Sequence, residues 1–134
     1  MNKAPLHSEF SAKKTVTHKD LASVYGSGKA DVFSTPAMIS FMEGTCNDWF
    51  SQYLDEGYIS VGAAIHIRHL RPTPEGMEVT CIAKYVGMED NLHKFETRVY
   101  DETQLIGDGY QLRGVVHKQK FEHTTKEKLE HRDY

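Results

Sequence analysis

The chain has 134 residues, 39% of them hydrophobic and 26% charged, with a formal net charge of −3. That length predicts one domain over residues 1–134, with a core that needs neither disulfide nor metal, and the charge balance lacks the basic footprint of a nucleic-acid binder. No run of 18 or more apolar residues is present to span a membrane, and MNKAPLHSEFSAKK has no apolar stretch of the secretory kind. Cys46 and Cys81, the two cysteines, therefore read as reduced thiols and the location as cytoplasmic. The eight histidines show no HxxxH spacing and no CxxC accompanies them, so neither a metal site nor a cofactor is expected.

Residues 1–9 read as a loose terminus. FSAKKTVTHKDLA (10–22) fits one strand and its exit, and YGSGKADVF (25–33) reads as loop from its glycines and serine. A long helix is predicted over about 35–55. Ser34 or Thr35 serves as its N-cap, Pro36 sits in its first turn, and Gly57 follows its end. The period then changes from helical to alternating. YISVGAAIHIRHLR (58–71), MEVTCIAKYVG (77–87), LHKFETRVYD (92–101) and LIGDGYQLRGVVH (105–117) read as strands separated by RPTPEG, MEDN and ETQ turns. KQKFEHTTKEKLEHRDY (118–134) reads as a charged tail, mobile or briefly helical. One helix and five antiparallel strands make an α+β chain whose sheet wraps the helix. Such a sheet has an open edge, which pairing of two copies protects, so a homodimer is expected.

Glu43 is the misfit of the helix. At 100° per residue, Met42, Cys46, Phe50 and Tyr53 fall within about 60° of Ile39, and Glu43 within about 40°. The carboxylate is thus predicted inside the apolar stripe, where it is costly unless paired or hydrogen-bonded. Asn47, Asp48, Ser51 and Asp55 are predicted on the far face. Thr35 lies at the mouth of the helix, and helical side chains lean toward the N-terminus, so Glu43 reaches back toward it. In YISVGAAIHIRHLR the odd positions are the apolar ones and are predicted to meet the helix. His69 is therefore turned inward and His66 outward. Gly62, lacking a side chain, admits close approach of backbone or ligand. Cys46 reads as core, and a solvated face is the reading for Lys118, Lys120, Lys126 and Lys128.

STPAM followed by Glu43, VG at 61–62, HLRPTPEGMEV at 69–79 and LIGDG…R at 105–113 together resemble the hot-dog-fold thioesterases, and in pattern the fluoroacetyl-CoA thioesterase group. The resemblance covers about Thr15 to Phe121. It implies a long helix wrapped by an antiparallel sheet, a dimer, and hydrolysis of acyl-coenzyme A thioesters with coenzyme A as part of the substrate. It also implies a catalytic set of Thr35, Glu43 and His69, with Gly62 and Arg113 at the substrate. Where such relatives carry His two positions before the arginine, this chain has Gln111. Arg113 reads equally as a phosphate contact or as the partner of an acid. The alternative to the enzyme is a non-catalytic acyl-CoA or acyl-carrier binding module on the same fold. A hydratase is a third class, but its Asp/His arrangement is not matched.

Overall fold

A computed structural model describes residues 4–132 of the chain. In chain order these form β1 (Glu9–Thr15), a 3-10 turn at His18–Asp20, α1 (Ala22–Tyr25), α2 (Thr35–Ser51), β2 (Tyr58–His69), β3 (Glu78–Glu89), β4 (Leu92–Tyr100), β5 (Leu105–His117), α3 (Lys118–Lys126) and a second 3-10 turn at Glu127–Leu129. The strands make one antiparallel five-stranded sheet in the order β1-β3-β4-β5-β2, which leaves β1 and β2 at its edges. This is the α+β, helix-in-sheet hot-dog architecture expected from the order of elements. No described helix is long and apolar enough to cross a membrane.

Burial alternates along β3 and β4, as a sheet with one covered face requires. Their inward residues meet α2 in two adjoining clusters. Met38 and Met42 pack with Phe33, Val79, Cys81, Val99 and Ile106. Cys46 and Phe50 pack with Ala83, Tyr85 and Phe95, flanked by Phe10 and Trp49. Phe10 and Trp49 are stacked at 4.3 Å between ring centroids. The β3–β4 turn closes on Asp90 and Asn91, both at positive φ between the paired Glu89 and Leu92. That is the primed two-residue turn that matches strand twist.

Two expectations are corrected at the ends of elements. The helix stops at Ser51 rather than near residue 55, because the Gln52 N–H turns back to the Phe50 and Trp49 carbonyls and tightens the last turn. The chain then reverses at Gly57, whose φ of 87° suits a residue without a side chain. The N-terminal residues 4–8 are tied down rather than loose. His7 N–H donates to the Tyr85 carbonyl at 2.8 Å, and Tyr85 N–H donates to the Ser8 carbonyl at 3.0 Å. The remainder of the predicted loose terminus, residues 1–3, and the last two residues of the charged tail lie outside the described residues. The tail itself begins, within the expectation of a brief helix, as the nine-residue α3, all of whose residues are exposed, and His117 Nδ1 accepts from the Lys120 N–H at its start.

Candidate active site

The start of α2 resolves the choice of cap. The Ser34 hydroxyl accepts from the Ala37 N–H at 3.1 Å, so Ser34 is the N-cap. Thr35 is the first helical residue and its hydroxyl is left free for other work. It meets His69 Nδ1 at 2.7 Å. The direction of that hydrogen bond follows the imidazole tautomer. Burial pulls the His69 pKa below its ordinary value, partly offset by the Arg71 backbone, so the neutral ring is favoured. Its Nε2 is buried and has no hydrogen-bond partner.

Glu43 does not join this pair by a hydrogen bond. It is two turns further along α2, roughly 12 Å by helical rise, and its carboxylate lies against β2 and β5. A Cβ placed on Gly62 would stand 2.6 Å from Glu43 Oε2, so the carboxylate occupies the space that the glycine leaves open. Arg113 Nη1 is 3.8 Å from the same oxygen. The Glu43 side chain is 42% exposed while that of Arg113 is only 6% exposed. The buried residues of α2 are Ala37, Met38, Met42, Thr45, Cys46 and Phe50. The stripe is therefore centred nearer Met42 than Ile39, and Glu43 sits on its margin rather than within it. The reason is the sheet, whose large inward residues on β3 and β4 pull that side of the helix down.

The inward face of β2 also differs from expectation. Its register against β5 slips between Gly62 and Ala64, leaving Ala63 as an extra residue. Beyond the slip the odd positions Ile67 and His69 turn inward as predicted. Before it the even positions Ser60 and Gly62 do so instead, and Ser60 is buried. Arg113 benefits directly. Its Nε donates to Ser60 Oγ at 2.9 Å, Nη2 to the Ser60 carbonyl at 3.2 Å, and Nη1 to Gln111 Oε1 at 3.1 Å. Of the two partners read for Arg113, an acid is present in Glu43. Burial lowers its pKa from the ordinary value, and the Glu43 charge pushes it back up.

Ser60 Oγ in turn donates to Asn47 Oδ1 at 3.2 Å. Asn47 was expected on the far face of α2, yet it is half-buried and one turn beyond Glu43. Its spacing of four from Glu43 was the available signal. Ser60 carried none, because the bulge that turns it inward has no mark in the sequence beyond Gly62. Cys46 and Cys81 are buried and unbridged, and burial pushes the Cys81 thiol up to about 11, where it is not a nucleophile at neutral pH.

A long helix wrapped by one antiparallel five-stranded sheet defines the hot-dog class. Comparison with known proteins gives the particular family. The family model described as FlK, fluoroacetyl-CoA-specific thioesterase, matches residues 16–119, and the chain belongs to that family of thioester hydrolases. The fluoroacetyl-CoA thioesterase of Streptantibioticus cattleyicolor is 32% identical over 115 residues, spanning 86% of this chain and 83% of that protein. Among solved structures, a mutant of the fluoroacetyl-CoA-specific thioesterase FlK in complex with fluoroacetate and CoA superposes with a TM-score of 0.83 at 27% identity, over 88% of this chain and 99% of that one. A hot-dog-like protein from Thermanaerovibrio acidaminovorans gives 0.84 at 25% identity, over 92% of each chain.

Proposed function

We propose that the protein hydrolyses a short acyl-coenzyme A to the free acid and coenzyme A, with Thr35, Glu43 and His69 as its catalytic set. The observation that carries this is the 2.7 Å Thr35–His69 pair at the start of α2, on the same helix as a carboxylate 3.8 Å from a guanidinium. The thioester lies between the two groups. Glu43 takes a proton from water as the water oxygen bonds to the carbonyl carbon. The positive end of the α2 dipole, with the Thr35 N–H, stabilises the oxyanion. Collapse of the tetrahedral intermediate breaks the C–S bond; the thiolate takes up a proton relayed from solvent through the Thr35–His69 pair, and Glu43 returns the proton it took to solvent, which restores the base. The CoA-bound relative supports coenzyme A as the handle, and the short acyl chain follows the relatives' fluoroacetyl group.

The working form in this reading is a homodimer. β2 is a twelve-residue edge strand whose Gly62–His66 segment is exposed and carries no Lys, Arg, Asp or Glu. The other edge, β1, has seven residues and carries Lys13 and Lys14, which discourage pairing. Unbridged Cys46 and Cys81 support a reducing, cytoplasmic setting. The test is thiol release from a panel of acyl-CoAs, from acetyl and fluoroacetyl to long chains, with wild type and Glu43→Gln. Turnover that collapses in the variant, with the fold retained, supports the assignment. Binding without turnover in wild type replaces it with the binding module.

A further inference from the structure

We infer that Ser60 and Asn47 are positioning residues for hydrolysis: together they clamp Arg113, and through Arg113 they fix the Glu43 carboxylate. This deepens the proposed function and rests on its assignment of Glu43.

The four side chains close a ring. It leaves α2 at Glu43, crosses to Arg113 on β5 at 3.8 Å, passes from Arg113 Nε to Ser60 Oγ on β2 at 2.9 Å, and returns to α2 at Asn47 Oδ1 at 3.2 Å. Ser60 is the corner of the ring, because its hydroxyl oxygen accepts from Arg113 while its proton goes to Asn47. Its carbonyl takes a second guanidinium nitrogen at 3.2 Å. Arginine has donors only, so Gln111 must turn its carbonyl toward Nη1, where it sits at 3.1 Å. Every nitrogen of the buried guanidinium is thus assigned, and a single orientation places Nη1 toward Glu43.

The ring explains features that core packing does not need. A buried arginine in a small sheet is expensive unless its donors are matched. Glu43 alone, 42% exposed at its side chain, does not match them. Asn47 and Ser60 supply the remainder without touching the region between Glu43 and Thr35. They are neither core nor surface, and their removal leaves Glu43 chemically intact while freeing the cation beside it.

The experiment measures kcat, KM and thermal stability for wild type, Ser60→Ala, Asn47→Leu, Asn47→Asp, Glu43→Gln and the double variant Ser60→Ala/Glu43→Gln. The clamp predicts that kcat falls about tenfold in Ser60→Ala and in Asn47→Leu with KM changed less than about twofold, a small misplacement of a reacting group being enough for this. Asn47→Asp keeps the acceptor oxygen and restores most of the loss. Because Ser60 acts through Glu43, its removal adds nothing further in the Glu43→Gln background. Wild-type kcat in a folded Ser60→Ala, or a loss that multiplies with that of Glu43→Gln, overturns the clamp while leaving Glu43 in place. If Ser60→Ala does not fold, the Asn47 pair decides: equal kcat for Asn47→Leu and Asn47→Asp overturns it. Full turnover in Glu43→Gln sinks the catalytic assignment itself, which is a separate result.

Discussion

Gly62→Ala isolates the Glu43 carboxylate without removing it. The added Cβ would stand 2.6 Å from Glu43 Oε2, whereas ordinary contact begins at 3.4 Å, so the carboxylate must retreat by about 0.8 Å. A misplacement of about 1 Å in a reacting group costs roughly a hundredfold in rate, and the retreat also loosens the 3.8 Å approach to Arg113. Stability moves the other way. Gly62 is exposed and is not among the positive-φ glycines, so alanine adopts its backbone freely. The less flexible unfolded chain then stabilises the fold by about 0.4–1 kcal/mol. The assay is kcat and KM by thiol release, beside a thermal melt. The expected result is kcat down about thirty- to a hundredfold with Tm at or above wild type. Gly44→Ala, one residue from Glu43 with nothing within 4 Å of the new Cβ, is the control: Tm rises and kcat stays. A Gly62→Ala enzyme with raised Tm and wild-type kcat would refute the reasoning, since the carboxylate would then have moved without consequence.

Neighbouring hydroxyls at the start of α2 should separate stability from turnover. Ser34→Ala loses the cap at about 1 kcal/mol and keeps turnover per folded molecule, whereas Thr35→Val keeps its Tm and loses at least about tenfold in kcat; a thermal melt and a rate for each variant check both. His69 and His93 are both held below the ordinary histidine pKa by burial. Their neutral forms therefore contribute stability that is present above about pH 6.5 and is lost as pH falls through their lowered values. Melts in steps from pH 7.5 to about 5 should show Tm falling, with a shallower fall in His93→Gln. An unchanged slope in that variant removes His93 from the account. Deleting Ala63 should abolish turnover while α2 and the β3–β4 hairpin persist, read by rate and by circular dichroism, and retained turnover would contradict the role given to the bulge below.

Most of the fold was legible because its signals are local. Pro36 after a polar pair marked the helix start, and the periods of β3 and β4 marked one covered face. The MEDN segment marked a turn, which the structure narrows to Asp90–Asn91 because Met88 and Glu89 stay paired in β3, and strands β2 to β5 begin within a residue of where alternation placed them. The helix end was not legible, since Tyr53 and Leu54 continue the apolar pattern after the backbone has already turned back at Gln52. Of the site, Thr35 and His69 could be placed because each depends on one element and its face. Glu43 was found for a reason only partly right: it is an acid beside the core, but the stripe's centre is set by which side of α2 the sheet covers. Ser60 could not be found, nor Asn47 joined to it, because Ser60 links Asn47 on α2 to Arg113 on another strand. Contact between them is decided by register, which no local pattern encodes.

Register also shows why the bulge belongs to the site. Ser60 and His69 both face α2, yet one is an even and the other an odd position of the same strand, and a regular strand sends them to opposite faces. One extra residue between them removes the conflict, and the slip lies between Gly62 and Ala64. Without it, a β2 that kept His69 against Thr35 would turn Ser60 to solvent, leave Arg113 without two of its acceptors, and put a different side chain where Gly62 makes room for Glu43. A β2 that kept Ser60 would lose the histidine instead. Deleting Ala63 forces that choice. The two halves of the site, the Thr35–His69 pair and the Glu43–Arg113 pair, are thus made compatible by a single irregularity, and the glycine that admits the carboxylate borders it.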